Sequence, residues 1–268
     1  MFRVEIGKAI RRWRTWLLAA ALAGVPVLIV AAVKLSPPQP QNAQDAPPFL
    51  LQIVQNGLFA PLTGLAVVQP FFLSLAIGLF AGDAIAGEAQ VGTLRYLLVR
   101  PVRRVRLLAS KFTAAMALTG ALLVGVILAG LLAGGVVFGF GPLPTLSGTT
   151  LTFWQGLSRV LGSGAYILLA ASGITAVGMF ISTLTDSGPG AIVATVIVAI
   201  ASQVVDNIPS LHAVHPYIPT HGWLGYVGLF RFPVDWGAMR SGLSVSVAYT
   251  VVFLALAGWN FRRRDVTS

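Results

Sequence analysis

Few residues of this 268-residue chain are equipped for chemistry. There is no cysteine, which removes disulfides, thiolate metal sites and thiol nucleophiles together. The three histidines, His212, His215 and His221, fall in "LHAVHPYIPTHGW" at spacings of three and six. Neutral imidazoles so placed can ligate a metal. The stretch carries no carboxylate or thiolate, and two prolines interrupt it, so turn and interfacial roles are the better expectation and ligation stays open. Ser163, in "GSGAY", would need a base within hydrogen-bond reach to act as a nucleophile. No histidine lies in its segment, so it is expected to be a small packing residue in a helix contact. No GxxxxGK[ST] phosphate loop occurs, and no HExxH. The densest ionisable stretch is "GDAIAGEAQVGTLRYLLVRPVRRVRLLASK", Gly82 to Lys111. It mixes Asp83 and Glu88 with Arg95, Arg100, Arg103, Arg104, Arg106 and Lys111. With nothing to hold phosphate or activate water, it suits a contact surface better than a catalytic centre.

The rest of the chain must hold that stretch in place, and it is apolar. Hydrophobic residues make up 56% and charged residues 10%, against roughly 25% charged in a soluble domain. The excess must face lipid. Six segments have about the 20 apolar residues that a hydrocarbon core demands: Trp16 to Leu35, Leu58 to Ala81, Phe112 to Phe138, Val160 to Ile181, Pro189 to Val205 and Leu243 to Phe261. The fold class expected is an all-α polytopic membrane protein. Pro26, Pro61 and Pro70 lie inside spans, which membrane helices tolerate. Almost no ionisable residue sits well inside a span, which argues against a proton-driven pump.

The net charge of +10 would suggest nucleic acid in a soluble protein. Here the cations flank apolar runs, so topology accounts for them and no nucleic-acid partner is expected. Arg3, Lys8, Arg11, Arg12 and Arg14, the six bases of 82–111, and Arg262, Arg263 and Arg264 share one side if there are six spans. Only Lys34, Arg159, Arg231 and Arg240 lie toward the other. Both termini are therefore expected in the cytoplasm. The first span is too long for a signal-peptide core and lacks a clean cleavage site, so it reads as retained. Residues 1–15 form an amphipathic pattern, with Phe2, Ile6, Ala9, Ile10, Trp13 and Leu17 on one face, as in a helix lying in the headgroup layer. Ser36 to Pro48 reads as an extended outer loop. In the outer segment 206–242, Trp223, Tyr226, Phe230 and Trp236 suggest an aromatic interfacial belt around a short re-entrant or surface helix. Arginine outnumbers lysine fifteen to three, a composition that points to a GC-rich bacterial genome.

Within 82–111, Val91, Leu94 and Leu98 recur at helical spacing, Gly87 and Gly92 allow bends or close approach, and Pro101 ends the pattern. The expected element is a short projecting helix with an apolar docking face. "DAIAGEAQVGTLRYLLVRPVRR" followed by "LLASK" resembles the permease subunits of ATP-binding-cassette transporters of the ABC-2 type. The matching positions are Glu88, Gly92, Thr93, Leu94, Leu97, Leu98, Pro101, Arg104 and Lys111, with "VRRVR" departing from the usual small residue before the arginine. The segment "HPYIPTHGWLGYVGLFRFPVDW" is similar to the re-entrant region of bacterial members. The resemblance implies a single permease domain over 1–268 and 82–111 as a coupling loop, with Glu88, Gly92, Thr93, Leu94, Leu98, Pro101 and Arg104 at the contact. It makes "STLTDSGPG", with Thr185 and Asp186, a second cytoplasmic contact, and places Ile6, Ile10 and Trp13 on the interfacial helix. It further implies a partner ATPase that binds ATP and Mg, no cofactor and no catalysis in this chain, a second permease copy, export, and the bacterial inner membrane. A non-transport assembly or regulatory factor using the same ATPase is the alternative.

Overall fold

The computed structural model describes residues 2–39, 46–92 and 104–263. Among them six helices are long and apolar enough to cross a bilayer. A short arm, α1 (Phe2–Arg11), precedes them. They are α2 (Trp13–Leu35), α3 (Phe59–Gln90), α4 (Arg104–Phe138), α5 (Phe153–Leu184), α6 (Gly188–Asp206) and α7 (Gly237–Arg263). All six expected spans are present, several extended by a turn or more of helix beyond the apolar run. An even number of crossings puts both termini at one face. A two-strand hairpin, β1 (Leu143–Pro144) with β2 (Thr150–Leu151), closes the α4–α5 connection, pairing Leu143 with Leu151.

The arm ends at Arg11, because Arg12 takes an extended backbone (φ −82°, ψ 122°) and turns the chain into the membrane. Trp16 fixes that turn by donating from Nε1 to the Ile10 carbonyl at 2.7 Å, at the end of α1 where carbonyls lack helical partners. Trp13 therefore opens the first span instead of closing the interfacial helix.

The prolines have specific places. Pro26 of α2 faces Gly64 of α3, where a Cβ would lie 2.8 Å from the proline ring. Pro61 of α3 likewise faces Gly130 of α4, and both pairs are close backbone approaches of the small-residue kind that binds membrane helices. Pro70 cannot donate an amide, and the ladder widens around it into a π segment at Gln69–Leu73. A second π segment, Gly78–Gly82, follows. Polar glue holds α7 to α5: Ser246 donates to the Ala170 carbonyl at 2.9 Å, and Asn260 to the Thr183 carbonyl at 2.9 Å. α5 starts at a capping box of Thr152 and Gln155, and α6 at Ser187 with Pro189 in its first turn.

The aromatic segment differs from a belt. His221–Phe230 is a ten-residue 3₁₀ run that folds inward. Trp223, Tyr226 and Phe230 are buried. Phe49 stacks on Phe59 at 5.6 Å and meets Phe230 edge-on at 5.0 Å, and Tyr226 donates to the Leu62 carbonyl at 3.1 Å. These rings form core; of the four, only Trp236 is exposed. Ser163 is buried and returns its hydroxyl to the Arg159 carbonyl at 2.8 Å, a packing role.

Candidate functional site

The ionisable side chains meet at the face that carries the termini. On α1, Glu5 and Lys8 stand three residues apart and so share a face, and Arg12 follows in the turn into α2. That face points at the bundle, while Phe2, Val4 and Ile10 are exposed and Ile6 is half-buried. Lys8 Nζ lies 2.9 Å from Glu88 Oε1 and 3.7 Å from Glu5 Oε1. Lys111 Nζ lies 2.9 Å from Glu88 Oε2 and 3.3 Å from Glu5 Oε2. Arg12 reaches Asp83 Oδ2 at 2.8 Å. Three acids thus face three bases from α1, the α1–α2 turn, α3 and α4, and the charges cancel.

Lys111 is the buried member, with its side chain 2% exposed against 47% for Lys8. It stands two turns inside α4, between Leu107 and Ala114, rather than at the margin of the span. A buried ammonium is tolerable only with close counter-charges, and Glu5 and Glu88 supply them. For Lys8, partial burial disfavours the ammonium, but the hydrogen bond and charge of Glu88, joined by Glu5, outweigh it and hold the group above its ordinary 10.5.

Glu88 does not sit at a helix start. α3 runs unbroken in its helical course from Phe59 to Gln90, so Glu88 lies in its last turns, far from the amide end that favours a carboxylate. Its pairing with a basic group of the arm is what the fold provides. The cap residue Val91 is exposed, and Gly92 takes φ +69°, a left-handed conformation at the helix end that suits glycine. Gly92 serves to end the helix. Thr93, Leu94, Leu98 and Pro101 lie outside the described residues.

The turn between α5 and α6 lies beside the end of α3. Ser182 of α5 accepts the amides of Ile85 and Ala86 at 2.9 and 3.0 Å, just past the second π segment of α3. Gln90 Oε1 accepts the Gly188 amide at 3.0 Å. Thr185 accepts the Ser187 amide at 3.1 Å, and Asp186 is exposed between them. Arg104 donates to the Phe261 and Arg262 carbonyls at 2.8 and 3.0 Å, where the last carbonyls of α7 favour a cation. Glu5, Lys8, Asp83, Arg12 and Ser182 were not singled out by the sequence. Lys111 carried one signal, a lone lysine with leucine, alanine and phenylalanine on both sides.

A polytopic helical bundle whose charges are gathered at one face, clamping an amphipathic arm, defines a membrane-embedded component without an internal ion relay among the described residues. The family model described as "ABC-2 family transporter protein" matches residues 1–266. The chain belongs to the ABC-2 family of transporter proteins, and it is a multi-pass membrane permease of an ABC transporter, a class that associates with an ABC ATPase. A comparison with curated proteins finds no match.

Proposed function

We propose that the chain is the non-catalytic membrane subunit of an ATP-driven exporter in a bacterial cytoplasmic membrane. A separate ATPase subunit holds ATP and Mg and docks at the face of the termini. Residues 82–111 form the first contact, with Glu88, Gly92, Thr93, Leu94, Leu98, Pro101 and Arg104, and Thr185 and Asp186 form the second. Two copies of the permease pair to enclose the path.

The observation that carries this reading is the ion network on Lys111. It joins the arm, the end of α3 and the start of α4, so a push on the segment between α3 and α4 reaches three elements together. The link between Gln90 and Gly188 brings the start of α6 into the same unit.

Co-expression with ABC ATPase subunits of the same genome tests the proposal. The ATPase should co-purify with the permease, and the complex should hydrolyse ATP, while the permease alone hydrolyses none. Robust hydrolysis by the permease freed of any partner would contradict the scheme.

A further inference from the structure

At the face opposite the termini, one carboxylate and two imidazoles meet from three separate elements. Asp206 is the last residue of α6, His215 opens the 3₁₀ turn His215–Tyr217, and His221 opens His221–Phe230. Their ligand atoms all lie within 4.8 Å of one another. His221 Nδ1 is 2.6 Å from Asp206 Oδ1, and His215 Nδ1 is 4.0 Å from the same oxygen. The two rings face each other at 5.8 Å between centroids. We propose that Asp206, His215 and His221 bind a divalent transition-metal ion of the zinc class, joining the outer end of α6 to the inward-folding aromatic segment.

The hydrogen bonding around the cluster fits that use. His215 Nε2 lies 3.2 Å from the Ile208 carbonyl, which can only accept, so the neutral ring carries its proton there. That leaves the Nδ1 lone pair free on the side of Asp206, the second-shell arrangement that orients metal-ligating histidines. His221 Nδ1 donates its proton to Asp206, and a metal takes that proton's place. The displaced proton leaves to solvent or moves to Nε2, so the charge balance closes with ordinary histidine tautomers. Ligand atoms around a tetrahedral zinc stand about 3.3 Å apart, given bonds of about 2.0–2.1 Å. The 2.6 Å contact must open and the 4.0 Å contact close by less than an ångström each.

Two imidazoles and a carboxylate suit zinc, nickel or cobalt and are a poor set for calcium or magnesium, which take oxygen ligands. Three protein ligands leave a position for water. Among the described residues no lysine or arginine stands within ion-pair distance of Asp206 to compete with an ion for its oxygens. A simple hydrogen-bonded Asp206–His221 pair would use one ring only and gives no part to His215, whose Nδ1 faces the same oxygen.

The test uses the full-length chain in lipid nanodiscs, purified on a tag without histidines, with Zn²⁺ in equilibrium dialysis and Co²⁺ in absorption spectroscopy. The wild type should bind one Zn²⁺ per chain, and Co²⁺ should give the visible bands of a four-coordinate nitrogen–oxygen site, since the chain has no cysteine to supply thiolate bands. His215→Ala, His221→Ala and Asp206→Asn should each weaken Zn²⁺ binding at least tenfold. His212→Ala, on an exposed neighbouring residue outside the triad, should leave it unchanged. Zn²⁺ should also raise the melting temperature of the wild type and not that of His221→Gln, a substitution that keeps the side chain's bulk and polarity. Absence of saturable binding in the wild type would overturn the site. So would His215→Ala binding as the wild type does, which would reduce the cluster to the Asp206–His221 pair, or an equal loss in His212→Ala.

Discussion

Lys111 is the residue on which the arm depends. Its ammonium is buried against Glu88 and Glu5, and removing one partner of a buried ion pair leaves the others uncompensated. Lys111→Ala is expected to destabilise the folded permease by about 3–5 kcal/mol. Lys8→Ala removes a half-exposed cation and is expected to cost about 1 kcal/mol or less. Thermal unfolding of both variants in nanodiscs checks the ratio, and equal losses would contradict it. The Lys8 ammonium is held above its ordinary value, so its contribution is complete at neutral pH. That contribution should stay constant from pH 7 to 9 and fall only as pH rises beyond 10.5 through the folded value. The sequence shows the charges of Gly82 to Lys111. It does not show that Lys111 is inside α4, because a topogenic lysine and a buried one look alike until the helix start is placed. The expected second span ends at Ala81, whereas the π segment Gly78–Gly82 carries α3 straight through to Gln90.

At the scale of elements, the six spans were legible because about 20 apolar residues have one use in a bilayer. The arm was legible from its amphipathic period, though not its end at Arg11, which rests on the Trp16–Ile10 side-chain-to-backbone hydrogen bond, a contact that periodicity does not show. The π segments left no signal beyond Pro70. The outer aromatic segment misled most. Trp and Tyr near an outer loop ordinarily mark the interface, but repeated glycines in "HGWLGYVGLF" let the chain fold back among α3, α5 and α7. Tyr226→Ala should therefore open a cavity and cost about 3–5 kcal/mol. Trp236→Ala, at a residue 51% exposed, should leave the melting temperature nearly unchanged. A belt would give similar, small effects at both positions.

For the whole molecule, the described basic residues of the arm, of the start of α4 and of the end of α7 lie at one face, as an even number of crossings requires. The proposed orientation places that face in the cytoplasm. The cysteine-free chain allows clean mapping. In intact cells a membrane-impermeant thiol reagent should label Ser210→Cys, in the exposed turn Pro209–Leu211, and should fail to label Ser268→Cys. The reverse pattern would invert the molecule and remove the docking proposal with it. The substrate left no mark on the sequence, because the spans are apolar for the sake of lipid whatever they carry.

The central claim is that the ATPase acts on the membrane through the segment between α3 and α4 and the ion network beneath it. The most direct measurement is the ratio of substrate-stimulated to basal ATP hydrolysis by the assembled complex in lipid, for the wild type, Glu88→Gln and Leu98→Asp. Compounds that stimulate the wild type are found first by screening. Glu88→Gln keeps the size of the side chain while removing the charge that Lys8 and Lys111 share, and Leu98→Asp puts a carboxylate on the proposed docking face. Both complexes should assemble and retain basal hydrolysis, and stimulation should be lost in each. Stimulation at the wild-type ratio in both variants, with normal assembly, would show that motor and membrane meet elsewhere.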